Sequence, residues 1–387
     1  MTDHRTPIVV AARRSPISTR GMRFARITAD QLAAPVIREC LADAARTTGS
    51  RPSVGDVILG NCMGPGGNIA RLSALAAGLD VTVPGMTVDR QCGSGLSAII
   101  TAGDAIRAGD DRLQLAGGAE SASTAPLRLA DGIAYARAPF APTGFSDPEM
   151  GPAAQSLALR YGIGRDRQDA YAARSHRLAV AQRDRGGFDD EMVEIDGVRF
   201  DDSVRARMPA ILRRFPALFP TAAGEADGTV TGGNSCRISD GAAVVAMVPR
   251  GARGDAPGLA MLAHATVGCD PAFPGIGPVA AVTRVLAEAG VTLEDLAAFE
   301  IVEAFAAQTL AVLQLLGLAR DDFVDPRVCA GGGALALGHP WGASGAVSVV
   351  RLFSRLVREN APAGSLGIAT AAVGGGMGVA ALFEVVR

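Results

Sequence analysis

The feature that most constrains the fold is a pattern that occurs twice, once in the first third of the chain and once in the last third. Glycine and other small residues at 92–95 and at 342–345 each open a helix of small residues. A strand that leads into a glycine turn follows each helix, over 112–121 and over 365–386. Repetition of this kind indicates a duplicated α/β unit with a pseudo-twofold axis. The small residues at both helix starts predict that the two helices pack closely at the centre.

Strands and helices alternate along the first third. The apolar patterns predict strands at 8–12, 56–62, 86–92 and 112–121, and helices at 29–47 and 93–109. In the last third, residues 333–359 predict a strand, a turn and a small-residue helix, and residues 365–386 predict two strands around a glycine turn. This alternation is typical of layered α/β folds.

The middle of the chain has a different character. Residues from about 122 to 245 carry many Arg, Asp and Pro residues, and Asp166 to Arg183 form an amphipathic helical stretch. We interpret this segment as an inserted lobe that covers a site built by the core. The predicted domains are therefore an N-terminal half at 1–248, which includes the lobe, and a C-terminal half at 249–387.

Composition excludes several classes of function. All 37 basic residues are Arg, which removes lysine Schiff bases, lysine-bound pyridoxal phosphate and a P-loop lysine. The net charge of −2 gives no electrostatic reason to expect nucleic acid or an anionic membrane as a partner.

No long apolar run and no signal-peptide pattern stand out, so we expect a soluble, cytoplasmic protein. Six scattered cysteines and four unclustered histidines predict free thiols, no metal site and no bound cofactor.

Cys92 is the strongest candidate for chemistry. It follows an apolar stretch and precedes Gly93-Ser94-Gly95 and a predicted helix, whose N-terminus favours a thiolate over a thiol. The glycines let a carbonyl group approach backbone amides that could form an oxyanion hole. The alternative is a buried, inert cysteine at the end of a strand.

His339 is the candidate general base. It lies between glycine and proline, in the repeat that corresponds to the Cys92 region, where it could take the thiol proton. The alternative is a histidine that bonds the backbone of a turn. His176, in the lobe helix, is interpreted as a surface or packing residue, and His264 as a core residue. The glycine turn at 374–378 could hold a phosphate or supply oxyanion-hole amides, but it does not match a dinucleotide fingerprint.

Taken together in order and spacing, the motifs resemble those of the thiolase family over nearly the whole chain. The nucleophile motif is Cys92-Gly93-Ser94-Gly95-Leu96, and the C-terminal motifs are Gly338-His339-Pro340 and the glycines at 374–378. The remaining matches are the opening strand at 8–17, Gly64 to Arg71, Gly117 to Ser121, Met150-Gly151, Gly228 to Asn234, and Asp240 to Ala243.

The resemblance implies a five-layered αβαβα core, a homodimer or homotetramer, and an acyl-CoA thioester as substrate. It implies that Cys92 carries the acyl group, that His339 activates the thiol, and that the amides of Cys92 and Gly376 form an oxyanion hole. Met150 would line the acyl pocket, and Cys236 and Phe305 would lie near the substrate. Apart from the resemblance, the charge of Arg205 in the lobe makes it a candidate for contacting the phosphates of coenzyme A. For Arg205 and its neighbours Arg207, Arg213 and Arg214, a solvated basic face is the alternative.

The chain also departs from the family pattern. The Asn of the family's N-E-A-F motif, which holds a water of a second oxyanion hole, is Val302 here. The second catalytic Cys, which deprotonates acetyl-CoA, is Ala372. A Ser that contacts pantetheine is Cys236, followed by Arg237 rather than Gly, and a pocket Met is Pro274.

These departures leave three hypotheses open. In the first, Cys92 accepts an acyl group from coenzyme A and transfers it to an acceptor other than unactivated acetyl-CoA. In the second, the protein is a conventional acetyl-CoA acetyltransferase or 3-ketoacyl-CoA thiolase with a rearranged base. In the third, it is a non-catalytic subunit that binds acyl-CoA.

Overall fold

The computed structural model describes residues 4–49, 52–219 and 228–387. The first part of the chain builds half of the core from strands and helices in the order β1 Pro7–Arg14, β2 Ser18–Thr19, α1 Ala29–Thr48, β3 Val54–Gly60, α2 Ile69–Ala76, β4 Gly85–Val88, α3 Ser94–Arg107 and β5 Leu113–Ser121. The predicted strands and helices of this region are present, with small differences at their ends.

The lobe follows β5 and has little sheet. Its elements are β6 Arg128–Ala130, β7 Ile133–Tyr135, α4 Met150–Arg160, α5 Arg165–Asp184 and α6 Met208–Ile211, with single 3₁₀ turns at Asp189–Glu191 and Leu212–Arg214. The chain then returns to the core as β8 Ser239–Pro249. Because β8 pairs with both β1 and β5, the lobe ends before 239, earlier than the sequence predicted.

The remaining chain builds the second half of the core. Its elements are β9 Gly258–Gly268, α7 Gly277–Ala289, β10 Leu296–Ile301, α8 Ala306–Leu315, β11 Ala319–Arg320, β12 Phe323–Val324, α9 Ala334–Leu337, α10 Trp341–Phe353, β13 Leu366–Val373 and β14 Met377–Val386. Short turns precede α7 at Pro274–Ile276 and follow β8 at Arg250–Ala252, and a π turn at Ser354–Arg358 extends α10.

The main sheet runs in the order β10-β13-β14-β9-β1-β8-β5-β3-β4, and β2 pairs with β8. Pairing is parallel between β10 and β13, β3 and β5, and β3 and β4, and it is antiparallel elsewhere in this sheet. The two halves of the sheet meet where Ile8 and Val9 of β1 pair with Ala260 and Leu259 of β9.

Helices α3 and α10 lie between the two halves of the sheet, and both contact strands of each half. Helices α1 and α2 cover one outer face, and α7 and α8 cover the other, giving the five αβαβα layers. Three apolar clusters separate these layers, two under the outer helices and one around α3 and α10. The fold is therefore the thiolase-like α/β fold that the sequence predicts.

The small residues at the helix starts allow α3 and α10 to touch. A β-carbon on Gly95 would lie 2.9 Å from the amide nitrogen of Ala346, and one on Gly345 would lie 2.7 Å from that of Leu96. These distances are shorter than carbon–nitrogen contacts allow, so any larger residue would separate the helices. The predicted close packing at the centre is confirmed.

Three local predictions are wrong. Residues before His339 form the helical turn α9 rather than a strand, because the amides of Ala336 and Leu337 donate to Gly333 within the same segment. The third predicted strand ends at Val88 and not at Cys92. The residues that follow form a turn, in which the amides of Gly93 and Ser94 donate to the carbonyls of Arg90 and Gln91. His264 is not a core residue: its side chain is 27% exposed and its Nε2 lies 2.9 Å from a carboxylate oxygen of Asp104.

Candidate active site

Cys92 lies in a tight turn between β4 and α3. Gln91 adopts a positive φ of 45°, a conformation that is uncommon for residues other than glycine. Ser94 fixes the turn, because its hydroxyl donates to the carbonyl of Gln91 at 2.6 Å and accepts the amide of Arg90 at 2.8 Å. Backbone strain of this kind is concentrated at functional sites in proteins. The turn therefore holds Cys92 directly before the first residues of α3.

His339 faces Cys92 from the opposite half of the core. Its Nε2 lies 3.3 Å from the sulfur of Cys92, and its Nδ1 lies 2.6 Å from the hydroxyl of Ser344. The Ser344 hydroxyl donates its single proton to the carbonyl of Pro340 at 3.0 Å, so it accepts from His339. Nδ1 therefore carries the imidazole proton, and Nε2 is free to accept the proton of the Cys92 thiol.

Burial controls the ionisation of both groups. It raises the pKa of Cys92 to about 12, with smaller contributions from the charges of Glu120 and Asp89. It lowers the pKa of His339 to about 4. The resting pair is thus a neutral thiol beside a neutral imidazole. This reverses the expectation that the start of α3 would make the resting group a thiolate, because the loss of solvent outweighs the helix dipole.

Two buried carboxylates hold the loops around this pair. Glu303 accepts the hydroxyls of Tyr171 at 2.8 Å and Ser175 at 2.7 Å and the amide of Leu335 at 3.2 Å, and so links the lobe helix α5 to the segment before His339. His339 itself is fixed through its amide, which donates to the carbonyl of Arg237 at 2.9 Å.

Glu120 plays the matching part on the other side. It accepts the side-chain amide of Asn61 and the backbone amides of Cys62, Met63 and Gly342, each at 3.0 Å. Burial raises the pKa of both Glu120 and Glu303. Their positions within the G-G-x-E-S and V-E-A-F segments were visible in the sequence, but their bonding partners were not.

The glycine turn between β13 and β14 lies next to the Cys92 turn. Gly375 and Gly376 have φ values of 86° and 84°, which favour glycine. The carbonyl of Gly376 accepts the amide of Cys269 at 2.7 Å. On the side of the nucleophile, a β-carbon on Gly93 would lie 2.8 Å from a methyl group of Val373, the last residue of β13. The strand that leads into the turn therefore packs directly against the residue after Cys92.

Comparison with known proteins agrees with this arrangement. The model of the thiolase N-terminal domain matches residues 7–251, and that of the thiolase C-terminal domain matches residues 257–385. The chain belongs to the thiolase family. A putative acetyl-CoA C-acetyltransferase from Bacillus subtilis is 40% identical over 383 residues, which cover 98% of this chain and 99% of that protein. An acetyl-CoA acetyltransferase from Chromobacterium violaceum is 40% identical over 401 residues, which cover 97% of this chain and 98% of that protein.

Two solved thiolase-fold structures are also similar to this chain. The Bacillus anthracis acetyl-CoA acetyltransferase has a TM-score of 0.86 at 34% identity, covering 98% of this chain and 99% of that one. Human mitochondrial 3-ketoacyl-CoA thiolase in complex with CoA has a TM-score of 0.85 at 29% identity, with 99% of both chains covered. The protein is accordingly an acyltransferase of the thiolase superfamily, a group that acts on coenzyme A thioesters.

Two of the positions interpreted from the sequence as departures from the family pattern, 372 and 302, lie near the glycine turn and the His339 loop. Ala372 is half-buried in β13, opposite Gly378 of β14. Val302 is buried, and its amide donates to the carbonyl of Thr370 at 3.0 Å. It lines a small cavity together with Gly338, Ser344 and Ser348. Neither side chain has a group that can take up a proton or hold a polar ligand.

The other residues predicted to contact substrate lie on separate elements. The amide of Cys236 donates to the carbonyl of Ala304 at 3.0 Å, and the pKa of its thiol is raised by burial and then by the negative charge of a Cys92 thiolate. Phe305 precedes α8, and Met150 begins α4. Arg205 is exposed, and its backbone amide donates to Nδ1 of His176 at 3.5 Å.

Within the described ranges, no group of three or more His, Cys, Asp or Glu side chains could hold a metal ion. In the same part of the chain, no helix is long and apolar enough to cross a membrane.

Proposed function

We propose that this thiolase-family protein forms an acyl thioester on Cys92 from an acyl-CoA and then transfers the acyl group to an acceptor other than unactivated acetyl-CoA. The observation that carries the proposal is the 3.3 Å contact between Nε2 of His339 and the sulfur of Cys92, with the tautomer fixed by Ser344. A buried neutral base next to a half-buried neutral thiol suits a nucleophile that ionises only as it attacks.

The first half of the reaction follows from this geometry. The sulfur of Cys92 attacks the thioester carbonyl while its proton moves to Nε2 of His339. The carbonyl oxygen gains negative charge, which the amides of Cys92 and Gly376 would stabilise. The tetrahedral intermediate then releases the thiolate of coenzyme A, which takes the proton back from His339. The products are acyl-Cys92 and free coenzyme A.

The second half of the reaction is where the departures matter. Forming a carbon–carbon bond with acetyl-CoA requires a base for its methyl proton and stabilisation of the enolate oxygen. Position 372 is Ala and position 302 is Val, so neither role has its usual side chain. A base and an oxyanion-hole donor each contribute ~10²–10⁴ in rate, so losing both would suppress this step. An amine, an alcohol or water as acceptor needs no enolate, and a malonyl-type thioester forms its carbanion by releasing CO2, without a base for a methyl proton.

A conventional thiolase reaction is the second candidate. Its support is that proteins 39 and 40% identical to this chain carry the name acetyl-CoA acetyltransferase. A non-catalytic, acyl-CoA-binding subunit is a third possibility, which the contact between Cys92 and His339 disfavours.

The proposal is tested by loading the protein with acyl-CoAs and measuring its intact mass. We expect one acyl adduct, mapped to Cys92, that is absent from Cys92→Ala and present in Cys269→Ala. The loaded protein is then mixed with acetyl-CoA, malonyl-CoA, amines or water, and the products are identified by mass spectrometry. Absence of an adduct with every acyl-CoA would overturn the proposal, and efficient acetoacetyl-CoA formation from acetyl-CoA would favour the conventional reaction.

Three finer points belong to the same proposal. Arg205 would contact the phosphates of coenzyme A, and Met150, Cys236 and Phe305 would line the substrate path.

A homodimer or homotetramer is supported by β4, which is an open edge strand with exposed apolar neighbours at Leu72, Leu75, Val81 and Met86. A cytoplasmic location is supported by the six free thiols. Light scattering of the purified protein would test the assembly.

A further inference from the structure

One segment of the lobe reaches across to the glycine turn. We name residues 137–149 the strap. Arg137 holds it together, because its guanidinium donates to Asp147 and to Glu149, each at 2.9 Å. The other carboxylate oxygen of Asp147 accepts the amide of Phe140 at 3.2 Å. The guanidinium of Arg137 also lies over the ring of Phe140, 4.5 Å from its centre. The orientation of Phe140 is thus fixed at its backbone and its ring.

The ring of Phe140 packs directly on the glycine turn. A β-carbon on Gly374 would lie 2.7 Å from Cε2 of the ring and 2.9 Å from Cδ2. Gly374 does not have a positive φ, so this contact, and not the backbone conformation, requires glycine there. The carbonyl and β-carbon of Phe140 likewise fill the space beside Gly375.

The turn is also held at Gly376. A β-carbon on Gly376 would lie 2.6 Å from the carbonyl oxygen of Cys269 and 2.8 Å from atoms of Pro271. The Cys269 amide bonds the Gly376 carbonyl on this same side. The turn is therefore held by Phe140 at Gly374 and Gly375 and by the backbone of Cys269 and Pro271 at Gly376. Its two positive-φ glycines have little stiffness of their own.

We infer that Phe140 is a positioning residue for acyl transfer, which holds the Gly374–Gly376 turn beside Cys92 so that a backbone amide of this turn can donate to the oxygen of the tetrahedral intermediate. This inference rests on the proposed function, because it requires that Cys92 is acylated. Oxyanion-hole donors act only when they are pre-aligned with the developing charge. Without the ring, the turn loses its contact at Gly374 and gains conformational freedom, so its amides are less well aligned with the developing negative charge.

The test compares two reactions of the same thiol. Acylation of Cys92 by an acyl-CoA creates an oxyanion, whereas alkylation by iodoacetamide does not. For Phe140→Ala, we expect acylation to slow by about tenfold or more, within the ~10²–10³ that removal of one oxyanion donor costs. We expect alkylation by iodoacetamide to stay within about twofold, because the Cys92–His339 pair is untouched. Phe140→Leu should restore most of the acylation rate, since it refills the contact with Gly374.

The strap provides a matched control. Phe145 lies in the same segment but is 66% exposed, so Phe145→Ala should leave both rates unchanged. Equal acylation rates for Phe140→Ala and the wild type would overturn the inference while leaving acyl-Cys92 intact. Equal losses of acylation and alkylation would also overturn it, since the ring would then act on Cys92 itself. If the wild type forms no acyl adduct, the proposed function fails first.

Discussion

The imidazole of His339 donates from Nδ1 to the hydroxyl of Ser344 at 2.6 Å, and that bond leaves Nε2 as the acceptor facing Cys92. Replacing Ser344 by Ala removes the group that selects this tautomer. We expect acylation of Cys92 to slow by about tenfold or more, a part of the ~10²–10⁴ that a general base contributes. Rapid-quench mass spectrometry would measure the rate. Ser348→Ala, one turn further along α10 and not bonded to His339, is the control and should acylate at the wild-type rate.

The lowered pKa of His339, about 4, predicts the pH dependence of acylation. Above this value His339 is neutral and can accept a proton, so the rate should be nearly constant from about pH 6 to pH 8. Ordinary histidine, with a pKa of about 6.5, would instead give a falling rate across this range on acidification. A rate that halves near pH 6.5 in wild type would contradict the buried, neutral imidazole.

Two substitutions should restore groups that belong to the family pattern and that this chain lacks. Ala372→Cys supplies a thiol on the half-buried face of β13, and Val302→Asn supplies a polar side chain beside the His339 loop. We expect the double variant to gain acetoacetyl-CoA cleavage, because the base and the oxyanion-hole group act in the same step. Coenzyme A-dependent loss of acetoacetyl-CoA absorbance would report it. Each single variant serves as a control, and full activity in the unmodified protein would show that another group already serves as the base.

His176 should make the fold sensitive to acid. Burial, followed by the charges of Arg205 and Arg237, lowers the pKa of this histidine to about 4 in the folded state. The unfolded chain takes up the proton at about pH 6.5, while the folded chain excludes it until about pH 4, so stability is complete above the first value and is lost as pH falls through this window. At about pH 5, one such histidine lowers the free energy of unfolding by about 2 kcal/mol relative to neutral pH.

The measurement is urea unfolding of wild type and His176→Gln at about pH 7 and about pH 5. The variant should lose less stability between the two conditions, because Gln carries no proton. The pKa of His339 is also lowered by burial, so this histidine likewise reduces stability in acid, and the His176→Gln variant will keep some acid sensitivity. An identical loss in the two proteins would mean that His176 is protonated equally in the folded and unfolded states.

Much of the architecture was readable from the sequence because it depends on local patterns. The apolar spacing of Leu32, Val36 and Ile37 predicts the buried face of α1, and all three are fully buried. The repeated small residues predict the central contact of α3 with α10. The errors fall where local sequence signals are weak. The segment α9 is a single helical turn whose hydrogen bonds form within the turn itself. His264 lies on β9 and contacts Asp104 of α3, a contact between distant segments.

The sequence by itself predicted two duplicated halves and an inserted lobe, and it indicated Cys92 and His339 as the groups to examine. Only the tertiary structure decided their chemistry. Cys92 and His339 are 247 positions apart, so their contact depends on how the two halves pack. Their neutral resting state follows from burial, which no local pattern specifies. The bonds of Ser344 and Glu303 and the contact of Phe140 with Gly374 likewise join distant segments, because folding alone brings those groups within reach of one another.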